Sequence, residues 1–157
     1  MSLDLENFEE VKLKGEELYK SLDCISSPYL KKDICFNSQG LEHLKFKRPR
    51  QARPRQDQYM RFKLLHLAPK VLEKSSTVQG VMETKGFEKI RRHSRTDTIA
   101  MEVMYYEFIA VIENVRVKVI VKEVQDSQPI FWSIIPFWGV DKQNKRKKLH
   151  SGYPAED

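Results

Sequence analysis

The stretch VRVKVIVK, residues 115–122, alternates Val115, Val117, Val119 and Val121 with Arg116, Lys118, Ile120 and Lys122. That two-residue period marks a β-strand with one buried face, because successive side chains leave an extended backbone on opposite sides. Immediately upstream, residues 105–112 are rich in aromatic and branched side chains, and Glu113-Asn114 is short enough for a hairpin turn, Asn tolerating a left-handed backbone. Downstream, residues 125–128 make a second connection, and 130–135 form a third strand stopped by Pro136. The first half of the chain has helical spacing instead. Leu5, Phe8, Val11, Leu18, Tyr19 and Leu22 lie on one stripe of residues 4–22, with Gly15 as its weak point. Tyr59, Phe62, Leu65, Ala68 and Leu72 do the same over residues 57–73, where Pro69 predicts a kink or two short helices. Between them, Ser26-Ser27-Pro28 is a break, 33–36 a short strand, and Asn37 to Gly40 supplies turn and helix-start chemistry before 41–44. Residues 75–81 lead into shorter elements, among them a second basic cluster of Lys85, Lys89, Arg91, Arg92 and Arg95.

Helices followed by a mainly antiparallel β-meander predict an α+β fold. At 157 residues the chain fits one domain. The expected division is an N-terminal helical extension at 1–27, the α+β domain at 28–140, and a basic, then acidic, C-terminal tail at 141–157 that is loosely held.

Charge is concentrated. The chain has 28 Lys and Arg against 22 Asp and Glu, a net +6, and Lys45, Lys47, Arg48, Arg50, Arg53 and Arg55 fall within residues 45–55 without an acid among them. Pro49 and Pro54 interrupt the run, and the rest of the chain is balanced. Such a cluster offers a polyanion several phosphate contacts at once, each releasing condensed counterions, so nucleic acid is the first partner to consider. A solvated loop or a localisation-type stretch is the alternative. Disorder is expected at the ends and in this basic segment. No apolar run approaches the ~20 residues of a membrane span, and the acidic start lacks the blocks of a secretion signal; a soluble, cytoplasmic protein is expected. Cys24 and Cys35 leave a disulfide open, with reduced buried thiols favoured for an intracellular chain. His43, His66, His93 and His150 have no zinc-site spacing, so neither metal nor cofactor is expected.

Phosphate-cradling glycine loops, a GxSxG elbow and paired carboxylates are all missing from the sequence. The remaining basic side chains, imidazoles and hydroxyls suffice for metal-free RNA cleavage, in which the substrate's own 2'-hydroxyl is the nucleophile. His43, beside the basic run, is the candidate base; capping a helix or pairing with Glu42 is its structural alternative. A catalytic His43 is expected to be exposed and to face basic groups, whereas a binding module tolerates its burial. His93 within Arg91-Arg92-His93-Ser94-Arg95 is next, His66 is expected to be packed, and His150 belongs to the tail. Arg116 and Lys118 would track phosphates from an open sheet face or be ordinary exposed residues, as expected for Lys122. The Ser133 hydroxyl should face away from Trp132 and Ile134. Trp132, Phe137 and Trp138 either stack on bases or fill the core.

The order of parts resembles a family. ICFNSQGLEH at 34–43, LLHLAPKVLEKSSTVQG at 64–80, the valine-rich hairpin and FWSIIP at 131–136 are similar to the phage-associated branch of the Barnase-EndoU-colicin-RelE-like nucleases. The similarity spans about residues 33 to 138. It implies a compact RNase-like domain, from toxin or mobile-element contexts, that cleaves RNA, tRNA or mRNA, without metal; apart from the resemblance, a protein-interaction domain whose cationic segment docks an acidic partner, such as an antitoxin or immunity protein, is a further option. Carried over, the early histidine falls on His43, the basic residue of the helical segment on Arg61, and the last-strand hydroxyl on Ser133. The chain departs from the pattern at Lys47 and Arg48, where related chains carry a second histidine, and at Ser133-Ile134-Ile135, where they end in Thr-x-Tyr. A non-catalytic RNA- or DNA-binding module using the 45–55 segment is the alternative.

Overall fold

The computed structural model of the chain describes residues 7–92, 95–137 and 151–157, with side chains throughout that set except at 88–92. The first apolar stripe forms α1 (Phe8–Ser21), which buries Phe8, Gly15 and Tyr19. The hairpin β1 (Cys24–Ser27) and β2 (Lys32–Cys35) follows. Asn37 then caps α2 (Ser38–Lys45), its side-chain oxygen accepting from Gln39 N at 3.1 Å and Gly40 N at 3.4 Å, which satisfies two of the amides a helix start leaves unpaired. The basic run folds into a small hairpin, β3 (Phe46–Arg48) and β4 (Gln51–Ala52), with Arg50 at φ 65° in its turn. The second stripe is α3 (Arg55–Leu64), a 3-10 turn (Leu65–Leu67) and α4 (Ala68–Lys74). Pro69 divides them as its spacing predicted: it sits in the first turn of α4, where its missing N–H has no partner to lose.

The meander completes the chain: β5 (Gly80–Arg92), β6 (Arg95–Ile112), β7 (Val115–Val124) and β8 (Ile130–Pro136). Glu113 and Asn114 take φ 51° and 63°, the left-handed pair of a tight hairpin, and Asp126 at 62° turns the next one. The sheet order is β1-β2-β8-β7-β6-β5; every pairing is antiparallel except β2 with β8, so the sheet is mixed. This is the α+β single domain that the patterns predict. Helices cover one face, where Phe108, Val117, Val119, Val121, Phe131 and Ile134 meet Phe62, Leu65 and Leu72. A smaller cluster on the other side gathers Val103, Tyr105 and Ile120 with Met82, Trp132 and Ala155. Among the described residues no helix is long and apolar enough to cross a membrane.

Several expectations are corrected. β5 and β6 pair along the whole of β5, from Gly80 with Glu107 to Arg92 with Arg95, in place of the shorter elements expected; β7 pairs with β6 only from Val103 to Ile112, so the distal arm stands beyond it and leaves Phe87 80 % exposed. β7 lies between two strands with both faces covered over residues 117–122: Lys118, Ile120 and Lys122 are buried as well as Val117, Val119 and Val121. Cys24 and Cys35 face each other across the β1–β2 pair and form a disulfide, Cys24 on the exposed side, which removes the thiol argument for a reducing compartment. A boundary at 27/28 would cut that hairpin, and α1 belongs to the core. The 45–55 segment is folded, and residues 151–157 are docked rather than loose, with Pro154 and Asp157 buried.

Gly15 reverses its sequence reading. A Cβ there would stand 2.5 Å from Phe62 Cδ1 and 3.0 Å from Phe62 Cβ, a buried ring of α3 that has nowhere to go. Helix propensity favours alanine over glycine by about 1 kcal/mol, but overpacking costs about 1–3 kcal/mol. Gly15→Ala is therefore expected to lower stability by urea unfolding, against the propensity rule. A more stable variant would show that the α1–α3 contact is slack.

Candidate functional site

The site forms where α2, the start of α3 and β8 meet. Gly40 lets α2 approach β8 closely, because a side chain there would collide with the Phe131 carbonyl oxygen and the Tyr19 hydroxyl. His43 is one turn further on the same helix face, and its ring stacks on Trp132 with centroids 4.0 Å apart and planes at 18°. Arg53, leaving the small hairpin, donates Nε to the His43 carbonyl at 2.9 Å and lies with Nη2 3.0 Å from His43 Nε2. Because a guanidinium has only protons to offer, Nε2 is the acceptor and the imidazole is neutral with its proton on Nδ1.

Helical spacing assembles the cations. Asp57 in the first turn of α3 pairs with Arg53 at 3.5 Å and with Arg61 Nε at 2.5 Å, one turn away on either side. Arg61 is fully buried; its Nη1 donates to Ser133 Oγ at 2.5 Å and to the main-chain oxygen of Asp157. Ser133 Oγ donates to that same oxygen at 2.8 Å, and Arg53 Nη2 reaches it at 3.5 Å. Three donors from separate parts of the chain thus surround a single oxygen. Lys122 lies 4.5 Å over the Trp132 ring.

A bulge in β8 explains why two adjacent residues serve one site. Ile120 faces Ser133 while Val121 faces Phe131, so Trp132 is the extra residue. In a regular strand Trp132 and Ser133 would point apart, the expectation from sequence; the bulge turns both toward the cluster.

Burial sets the electrostatics. Desolvation first, then the positive charges of Arg53, Arg61 and Lys122, hold the His43 imidazole down to about 2. Burial also lowers Arg53, to about 10, with Arg61 adding repulsion and Asp57 opposing it; Arg61 is lowered by burial and supported by Asp57. Both guanidiniums keep their charge at neutral pH. His43 therefore meets half of its expectation: it faces a basic group, but it is 4 % exposed.

Arg61 and Ser133 are in direct contact, and His43 is linked to them through Arg53, which reaches both His43 Nε2 and the oxygen that Arg61 and Ser133 share. The basic segment divides: Arg48, Arg50 and Arg55 are exposed, Lys45 pairs with Glu16 at 3.7 Å, Lys47 with Glu156 at 3.6 Å, and Arg53 is interior. Lys118 is not on an open face; it is buried and paired with Glu107 at 2.5 Å. Arg116 is exposed, its guanidinium 4.9 Å from the centre of the Phe137 ring. Lys122, expected to be exposed, is buried, whereas His66, expected to be packed, is half-exposed and bonded to Lys63 O and Glu113. The side chains of Arg91 and Arg92, together with His93, Trp138, His150 and the tail lysines, lie outside the described residues. Asp57, Trp132 as the partner of His43, and segment 151–157 are what sequence reasoning missed. The i, i+4 series Arg53, Asp57, Arg61 was a readable signal for the first.

Among the described residues no three His, Cys, Asp or Glu side chains gather as a metal-holding group. No family model, curated protein or solved structure matches the chain.

Proposed function

We propose that the chain is a metal-independent endoribonuclease acting through 2'-hydroxyl attack, with RNA as substrate. The observation that carries this reading is the convergence of Arg53, Arg61 and Ser133 on one oxygen, the Asp157 main-chain oxygen, with His43 Nε2 beside them 3.0 Å from Arg53 Nη2; we take that oxygen to occupy the position of a phosphate oxygen. In the reaction, His43 Nε2, released from Arg53, takes the 2'-hydroxyl proton as the O2'–P bond forms. Arg61 and Arg53 hold the phosphorane's non-bridging oxygens, where positioned cations stabilise the charge that develops. Ser133, oriented by Arg61, directs the phosphate, and the P–O5' bond breaks with the leaving oxygen protonated from solvent. Arg48, Arg50 and Arg55 supply exposed charge for the flanking backbone. An acidic antitoxin would compete for the same surface.

The burial of His43 favours a second reading, a non-catalytic RNA-binding module with the same groove. Incubation of the protein with a defined RNA in EDTA separates them. The expected products are discrete fragments ending in 2',3'-cyclic phosphate, and a substrate with a single 2'-deoxy sugar at the cleaved position should bind yet stay intact. Efficient cutting of that substrate, or activity lost in EDTA and restored by magnesium, overturns the mechanism. Binding that weakens steeply with salt and leaves every substrate whole selects the binding module.

A further inference from the structure

Segment 151–157, SGYPAED, closes over the cluster with its acceptors turned inward. The main-chain oxygen of Asp157 takes Arg61, Ser133 and Arg53; that of Glu156 accepts from Arg53 Nη2 at 2.9 Å; and that of Ala155 accepts from Trp132 Nε1 at 3.2 Å. Outside the pocket, the Glu156 carboxylate bridges Arg48 and Lys47, 3.6 Å from the latter, and Arg48 holds that carboxylate well below its usual range. The segment is braced from within. The Asp157 side chain accepts from Ser151 N at 2.9 Å, Ser151 Oγ and Gly152 N at 3.2 Å, which fixes a compact turn. Among the donors it engages on the body of the molecule are Arg48, Arg53, Arg61 and Ser133, which the proposed chemistry assigns to RNA.

The fit is incomplete in an informative way. Arg61 Nη2 is buried and has no hydrogen-bond partner among the described residues. A phosphate, with several equivalent oxygens, offers the second acceptor that a single main-chain oxygen cannot. Of the two guanidiniums, both lean on Asp57, and Asp157 supplies further negative charge beside them.

We infer that segment 151–157 is an autoinhibitory strap, an intramolecular stand-in for the RNA backbone that the substrate must displace to reach His43. The identity of the displaced ligand rests on the ribonuclease reading; the competition itself does not. A site open for only a fraction of the time binds more weakly by that fraction, and a tethered segment competes at an effective concentration in the millimolar range.

Ala155→Glu tests this in the full chain. Ala155 packs against the cluster of Val103, Tyr105 and Ile120 beside Trp132, so a glutamate there expels the strap while adding negative charge that by itself would weaken RNA binding. The probes are inorganic phosphate, followed at the His43 imidazole resonance, and a single-2'-deoxy RNA oligonucleotide. Ala155→Glu is expected to bind both about 10-fold or more tightly than wild type, and free SGYPAED peptide to reverse the gain. Equal or weaker binding of both probes, with no effect of the peptide, overturns the strap. Tighter phosphate binding and peptide competition without RNA binding keep the strap and overturn the ribonuclease reading; RNA cleavage at equal rates in both chains does the opposite. Should Ala155→Glu not fold, Glu156→Gln gives a smaller gain in the same direction, measured beyond that of Glu73→Gln, an exposed acid of α4 with the same charge change.

Discussion

Arg61→Lys is expected to fold and to cleave RNA about 10²–10³-fold more slowly, while Arg61→Met is expected to lose on the order of 10 °C in melting temperature. The two effects come from different parts of one side chain. Arg61 uses Nε for Asp57 and Nη1 for Ser133 and Asp157, two directions fixed by the planar fork. A lysine keeps the positive charge beside Asp57 but presents one ammonium, so it cannot hold the carboxylate and the hydroxyl together. Losing one pre-positioned donor at a developing oxyanion costs about 10²–10³ in rate. Methionine removes the charge as well. Asp57 then keeps Arg53 at 3.5 Å, and the Ser133 hydroxyl loses the guanidinium donor while keeping the Asp157 oxygen. Breaking a buried pair from one side costs about 3–5 kcal/mol, and each kcal/mol is worth about 2–4 °C in a chain of this size. Cleavage assays and thermal scans on both variants decide the matter. Wild-type cleavage by Arg61→Lys would take Arg61 out of the chemistry, and an unshifted Arg61→Met melting curve would contradict its place in the ion-pair network.

The sheet was legible where apolar residues recur at every second position and the turn chemistry is local. The valines of β7, the Glu113-Asn114 turn and the stop at Pro136 each act within a few residues, so their periodicity survives in the sequence. The β5–β6 arm was not legible, because its exposed face, Val81, Glu83, Lys85 and Phe87, mixes apolar with charged side chains and its half-buried face, Met82, Thr84 and Gly86, has one large apolar residue, so burial alternates where hydropathy does not. The burial of Lys118 and Lys122 was hidden for the opposite reason. Lysine reads as surface unless a partner is known, and their partners, Glu107 and the rings of Phe137 and Trp132, come from other strands.

In the site, identity was easier to read than geometry. His43, Arg61 and Ser133 stood out by residue type and order, yet their environment depends on a bulge at Trp132 and on a segment more than a hundred residues from His43. The acidic 151–157 stretch looked loose because what docks it on the body of the molecule is not local. Its partners, Arg48, Arg53, Arg61 and Trp132, are all distant in sequence, and complementarity between an acidic and a basic stretch becomes specific only once the fold has brought them together.

Mild acid is expected to destabilise the protein through His43 in particular. In the unfolded chain the imidazole titrates near its ordinary value of about 6.5; in the folded protein burial, then Arg53, Arg61 and Lys122, hold it at about 2. The folded pKa is the lower one, so the stabilising contribution is complete above about pH 6.5 and is lost as pH falls toward the folded value. Over that window the unfolded state binds a proton that the folded state refuses. The slope is about 1.4 kcal/mol per pH unit, or about 3 kcal/mol between pH 6.5 and 4.5, and on the order of 10 °C in melting temperature. Glu156 is held below its ordinary range by Arg48. His43→Gln keeps an acceptor for Arg53 and removes the titration, so its melting temperature should change less over the same pH range even if it starts lower. Parallel curves would mean that His43 already takes up a proton in the folded state, and the tight His43–Arg53–Trp132 packing would then be wrong. Expelling the strap in Ala155→Glu should move the imidazole back toward its ordinary range, because water then reaches Arg53 and Trp132. That shift is what a general base requires, since proton abstraction is most efficient when the base titrates near the working pH, and it ties the acid sensitivity of the closed protein to the chemistry of the open one.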